Sequence, residues 1–352
     1  MAVHESTARK AMDDTRPCPP YALELELPQR VVIIGDLNAQ YNVLTRMLLG
    51  LKLIKKNGSW CGGRTVLVQM GDIPNRGAAA RASMDLIMRL REEARDAGGE
   101  VYWLLGNHEV MSVLGHEAYV SADEYMEFAT NQEIDRFYAD RTRFVYELLG
   151  APDVPAYVQP LGGKLRAWEE ANAPGKGAYR EAMGADGLYG RYIRALPIAF
   201  KIGTLLFVHG GLSPNWADYG LEGLEEESAK TWASRPMFYQ ELDPNGLFRD
   251  PLGPLWHRAY CVANARMVRR DLTDALASVG ATQMVVGHTR TDTVEHGEPG
   301  MPLVRQRGRL IMTDVGLGEP GEPGSAIVVE RGQVESWAPG GSKSRVVSLK
   351  KR

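Results

Sequence analysis

Five short apolar runs end in residues that can hold a cation or move a proton: Asp36, Asp72, Asn107 with His108, His209, and His288. Carboxylate oxygen, amide oxygen and imidazole nitrogen form a ligand set for Mn, Fe, Zn or Mg, not for a soft thiolate site. A lone histidine at a strand end is more often a loop or core residue. Here a glycine precedes or follows the polar residue at all five run ends, and that recurrence argues against the bland explanation.

The elements that must position these residues follow from pattern. RVVIIG at 30–35 is a β-branched run closed by glycine, which suits a fully buried strand. Apolar residues at 43, 44, 47, 48 and 51 predict a helix over 42–53. A second strand is expected at 65–69, a long amphipathic helix at 78–97 and a third strand at 100–105. Further strands are expected at 204–208, 283–286, 310–313 and 326–330. Alternating strands and helices predict an α/β layered fold. In open α/β sheets, ligands bind beyond the carboxyl ends of the strands, where the five polar clusters fall. Residues 1–28 read as a flexible arm, 29–338 as the main domain with a helical insertion or cap at about 118–190, and 339–352 as a basic disordered tail.

Composition excludes several function classes. The chain has 352 residues, 24% charged, with a formal net charge of −3. That balance lacks the basic footprint of a nucleic-acid binder, so neither nucleic acid nor an anionic membrane is expected as partner. No apolar run approaches the roughly 18 residues of a membrane span, and the N-terminal stretch has no signal-like apolar core. Cys18, Cys61 and Cys261 are far apart and form no CxxC pair. They predict reduced thiols and a cytoplasmic protein.

GDLNAQ (35–40), GDIPNRG (71–77), GNHEV (106–110), VHGGLSP (208–214) and VVGHTRT (285–291) occur in this order. They resemble the five blocks of the phosphoprotein phosphatases, calcineurin-like metallophosphoesterases whose pattern is GDxHG, GDxxDRG, GNHE, HGG and GH. With QMGDIPNRG, LLGNHEVM and GPLWHR, the text is most similar to the bacterial Shewanella-like branch. The resemblance spans about residues 31–315. It implies a four-layer αββα sandwich with a helical insertion, two divalent metals with Mn favoured over Fe, Zn or Mg, and hydrolysis of phosphomonoesters on a phosphoprotein (Ser/Thr or Tyr). By the same resemblance, Asp36 and position 38 bind the first metal, Asp72 bridges, and Asn107, His209 and His288 bind the second. His108 matches the general acid, with Glu109 buttressing its block. Arg76 and Arg258 match the phosphate-holding arginines, and His257 beside Arg258 is a candidate for lining the pocket with Asn107. The chemistry agrees: two metals neutralise charge on both sides of an in-line displacement at phosphorus, and a guanidinium fork matches phosphate oxygens.

Two residues depart from the pattern. Asn38 stands where histidine is expected, so the first metal should bind weakly, with a shift toward oxygen-loving Mn or Mg. Asn75 stands where an aspartate orients the catalytic histidine; it can accept a hydrogen bond but carries no charge. The same change in a serine-protease triad costs about four orders of magnitude in rate. The alternatives are therefore a phosphatase of a small phosphorylated metabolite, or a non-catalytic pseudophosphatase that binds phosphate or a partner. Outside the blocks, His116 and His296 read as surface histidines, Met84 and Met88 as core, and the charged runs 225–229 and 265–270 as solvated helix faces.

Overall fold

The computed structural model describes residues 22–150, 160–234, 236–317, 324–340 and 343–348. In chain order the strands are β1 (Glu24–Leu25), β2 (Arg30–Ile34), β3 (Val66–Gln69), β4 (Glu100–Trp103), β5 (Ala199–Ile202), β6 (Leu205–Val208), β7 (Gln283–Val286), β8 (Leu303–Arg305), β9 (Leu310–Met312), β10 (Ala326–Glu330), β11 (Gln333–Trp337) and β12 (Lys343–Ser348). They form two six-stranded sheets, ordered β1-β5-β6-β7-β9-β8 and β12-β11-β10-β2-β3-β4. In the second sheet β2, β3 and β4 run parallel, and β10, β11 and β12 extend it antiparallel. In the first, β6, β7 and β9 run parallel between the antiparallel neighbours β5 and β8.

The parallel strands β3, β6 and β7 are buried at every position, as expected for strands covered on both faces. Tyr102 of β4 stacks on Phe200 of β5 with centroids 4.1 Å apart, joining the two sheets. Helices α1 (Tyr41–Gly50) and α2 (Ala80–Asp96) follow β2 and β3, and α2 buries Met84, Ile87, Leu90 and Ala94 on one face. Its Met84 and Met88 are core, as their spacing predicts. The chain is an α/β sandwich of two sheets and helices.

Residues 118–190 carry α4 (Ala122–Met126), α5 (Asn131–Gly150), α6 (Pro160–Asn172), α7 (Lys176–Met183) and α8 (Leu188–Ile193), after α3 (Asn107–Val113) at the end of β4. The later helices are α9 (Pro214–Ala217), α10 (Gly220–Ala233), α11 (Ala259–Val262) and α12 (Ala265–Ser278).

Two expectations about the ends of the chain need correction. Within the arm expected over 1–28, Glu24 and Leu25 pair with β5, and residues 1–21, with Cys18, lie outside the described residues. Within the tail expected over 339–352, Lys343–Ser348 pairs with β11 as an edge strand. The alternation Ser344, Val346, Ser348 is too polar to announce a strand by itself; β11 supplies the ladder partners.

Candidate metal centre

The sheets converge at the carboxyl ends of their parallel strands. A Cβ on Gly35, just after β2, would lie 1.9 Å from the Thr313 carbonyl oxygen after β9, so only glycine lets the two backbones approach this closely. The convergence sets Asp36 against the end of β7. Its carboxylate accepts from the His288 main-chain N–H at 2.9 and 3.0 Å.

Asp72, His209 and His288 form a buried group whose ligand atoms all lie within 4.8 Å of one another. His209 places Nδ1 2.7 Å from the Met70 carbonyl, which makes Nδ1 the donor and turns Nε2 inward. That Nε2 lies 2.9 Å from Asn107 Oδ1 and 3.4 Å from Asp72 Oδ1. His288 Nε2 is buried without a hydrogen-bond partner. Inward-facing ligand atoms of these types fit a divalent cation.

Electrostatics point the same way. Burial disfavours a charged ring at His209, yet Asp72 and Asp36 outweigh it and push its pKa up to about 10. Asp36 is driven well above the carboxylate range by burial and by Asp314 beside it. Burial also raises Asp72, but His209 and His108 more than offset this and hold it well below the ordinary range. A pocket that favours a proton on an imidazole against its desolvation cost is a pocket that wants positive charge.

Glu109, on the first turn of α3, holds the frame. Its Oε2 accepts from the main chain of Asp72 (2.8 Å) and Gly106 (2.9 Å), and its Oε1 from Ile73 N (2.8 Å) and Trp103 Nε1 (3.1 Å). A Cβ on Gly106 would lie 2.4 Å from Asp72 Oδ1 and 2.6 Å from Glu109 Oε2, so no larger residue fits between the two carboxylates. Several site residues also hold left-handed backbone angles: Asn38 (φ 49°), Asp72 (55°), Asn75 (73°), Arg76 (65°) and His288 (60°). Such strain gathers at functional sites.

Asn75 is buried behind His108, with its Oδ1 2.9 Å from His108 Nδ1. Burial drives the His108 pKa down to about 4 despite the attraction of Asp72. Its Nε2 lies 3.9 Å from Asp72 Oδ2.

These groups border a polar cleft of about 310 Å³ lined by Asp36, Asn38, Asp72, Arg76, Asn107, His108, Arg258 and His288. Arg76 lies over the Tyr119 ring at 5.3 Å. Arg258 donates to the His288 carbonyl at 2.9 Å and to Thr289 Oγ1 at 3.3 Å.

His257 does not line this cleft. It is 3% exposed and its ring centroid lies 4.2 Å from that of Tyr260, in the segment that leads into α11, while Arg258 lines the cleft. His116 is half-buried between Tyr119 and Tyr239, and His296 is exposed. The cleft also includes residues the sequence did not single out: Gln40, Tyr119, Trp256, Arg290 and Asp314. Asp314 had a signal, since it follows β9 as Asp36 and Asp72 follow β2 and β3. Tyr119, Trp256 and Gln40 had none.

Residues 29–290 match the calcineurin-like phosphoesterase family, and the chain belongs to it. It is a metal-dependent phosphoester hydrolase by that membership. It is 27% identical over 288 residues to Shewanella-like protein phosphatase 2 of Arabidopsis thaliana, covering 77% of this chain and 69% of that one. It is 24% identical to Shewanella-like protein phosphatase 1 of Plasmodium berghei, over 76% of this chain and 63% of that one. The crystal structure of a cold-active protein-tyrosine phosphatase of a psychrophile, Shewanella sp., superposes with a TM-score of 0.67 at 23% identity, covering 93% of this chain and 83% of that one. That likeness is one of fold.

Proposed function

We propose that this enzyme hydrolyses phosphomonoesters on phosphoproteins in a reducing, cytoplasmic setting, with manganese as the preferred metal. The observation that carries this reading is that the buried group Asp72, His209 and His288 adjoins a polar cleft lined by His108, Arg76 and Arg258. The phosphatase names of the relatives favour a phosphoprotein, and the two dispersed free thiols Cys61 and Cys261 favour the compartment.

Asp72, Asn107, His209 and His288 would hold one metal; Asp36 and Asn38, with Asp72 between, would hold the other. When bound, the metals supply Lewis-acid neutralisation of phosphoryl charge and an activated water. Arg76 and Arg258 grip the phosphate oxygens and align the ester for in-line attack. His108 Nε2 donates a proton to the departing oxygen. The ring takes that proton up from solvent before it acts, and in the resulting imidazolium Nδ1–H rests on the Asn75 oxygen while Nε2–H faces the departing oxygen.

A specific observation favours a second reading, a phosphate-binding protein with little turnover: Asn38 and Asn75 remove an imidazole and a charge from the same side of the site. Turnover of phenyl phosphate and p-nitrophenyl phosphate with added Mn separates the two. His108→Ala should lower the phenyl phosphate rate by about 10²–10⁴, the range for a general acid, and affect the good leaving group less. No hydrolysis of either substrate by the wild-type protein with any of Mn, Mg, Fe or Zn sinks the enzymatic reading.

A further inference from the structure

Asn75 poses a problem that an aspartate would not. An amide can turn either its oxygen or its NH₂ toward His108, and only the oxygen keeps the proton on Nδ1 with Nε2 free for the substrate. With the NH₂ facing His108, the ring would become an Nδ1 acceptor, and its protonated form would meet a donor head-on.

We infer that Glu124 is the positioning residue that decides this orientation. This rests on the phosphoesterase reading of His108 above. Glu124, on α4, is 0% exposed. Its Oε1 accepts from Asn75 Nδ2 at 3.2 Å and from the Asn75 main-chain N–H at 3.3 Å. Burial favours a proton on this carboxyl, and the unpartnered Oε2 is the oxygen free to carry it; in either charge state Oε1, which takes the Asn75 main-chain N–H, accepts, so the amide NH₂ faces Glu124 and the amide oxygen faces His108. Ser112 Oγ lies 3.2 Å from Asn75 Nδ2 and 3.4 Å from its Oδ1, and a hydroxyl can serve either, so the choice falls to Glu124.

The helix that carries Glu124 is anchored to the block it serves. Ser121 caps α4 by accepting from Glu124 N at 3.0 Å, and its hydroxyl donates to the Gly77 carbonyl at 2.6 Å. Glu124 therefore also holds Asn75 at its left-handed φ of 73° through the main-chain bond.

The burial itself is informative. Glu124 Oε2 is buried with no partner, and a half-satisfied buried carboxyl is costly to the fold. A role in packing alone would be served better by an apolar side chain. The arrangement is a histidine–amide–carboxylate chain, with the acidic group placed one residue further from the ring than in the family pattern.

The test reads the ring directly. In the metal-free protein, ¹⁵N NMR of labelled histidine should show His108 protonated on Nδ1. Glu124→Ala, or the shape-keeping Glu124→Met if the first is unstable, should admit the Nε2–H tautomer. With Mn, the same variants should lower kcat on phenyl phosphate by about tenfold or more, a part of the general-acid contribution, with p-nitrophenyl phosphate much less affected and KM unchanged. The exchange Asn75→Asp with Glu124→Gln returns the carboxylate to His108 and an amide behind it, and should recover the phenyl phosphate rate. Asn75→Asp alone sets two buried carboxyl groups against each other and should not. A His108 ring that stays on Nδ1 in both Glu124 variants, with equal losses on the two substrates, overturns the inference. If the wild-type protein hydrolyses neither substrate, the phosphoesterase reading fails, and the tautomer measurement alone decides the role of Glu124.

Discussion

Glu109→Gln removes no volume and one charge, yet it should be among the most damaging conservative changes in this protein. Each Glu109 oxygen accepts two donors: Ile73 N and Trp103 Nε1 on Oε1, Asp72 N and Gly106 N on Oε2. Four donors leave no place for a carboxyl proton, so the group acts as an anion even though burial and the Asp72 charge push its pKa up to about 7. Glutamine has a single acceptor oxygen. Whichever way it turns, two buried N–H groups lose their partner and face an NH₂ instead. At about 1–3 kcal/mol for each unsatisfied donor, the loss is about 2–6 kcal/mol. With an unfolding entropy of roughly 2.1 cal/mol/K per residue over the 352-residue chain, Tm should fall by about 3–8 °C. Calorimetry of the metal-free protein measures the drop without interference from metal linkage. Metal affinity should fall too, because the Asp72 main chain is one of the groups set loose. A Tm change under about 1 °C would show that the four bonds do not hold the frame, and the account of Glu109 would be abandoned.

The metals should bind unequally. Titration with Mn followed by calorimetry should give a tight class, attributed to Asp72, Asn107, His209 and His288, and a weaker one at Asp36 and Asn38; Asn38→His should strengthen the weaker class, and two equally tight zinc ions would remove the account of Asn38. Stability should also carry a histidine signature from His257. Burial, only partly offset by Asp250 and Asp271, lowers its pKa to about 4. Between that value and the roughly 6.5 of an unfolded histidine, the unfolded chain takes up a proton that the folded one refuses. The stability is complete above pH 6.5 and is lost as pH falls toward 4, by up to about 3 kcal/mol. Urea unfolding of metal-free protein should show a shallower loss in this window for His257→Phe than for wild type. Equal slopes would mean that His257 protonates as easily folded as unfolded.

Much of this protein was legible before any tertiary contact was known. β-branched runs that end in glycine and a polar residue are buried strands with ligands at their tips, because a strand covered on both faces must be apolar throughout and can turn polar only where it leaves the sheet. Asp36, Asp72, Asn107, His209 and His288 were found on that logic, and the structure gathers them from β2, β3, β4, β6 and β7 to one place. The strands β1, β5, β8, β11 and β12 were missed. Val304 and Val334 stand among charged and polar residues, and only a neighbouring strand supplies the hydrogen bonds that make such segments extended.

The side on which a residue faces was the least legible property. His257 and Arg258 are adjacent, and a sequence gives no reason to send one into the core and the other into the cleft; the fold of the segment before α11 does so. No pattern in the sequence sets Glu124 apart. It becomes a partner of Asn75 because Ser121 ties α4 to Gly77, which brings together residues 49 positions apart in the chain. The residue types at the strand ends, their order and the two amides that set this site apart were legible in the sequence, because those are properties of side-chain chemistry and of strand periodicity. The tertiary structure decided which groups stand behind the ligands and how each ring is held, because second-neighbour contacts depend on the angle at which separate elements meet, and no local pattern encodes that angle.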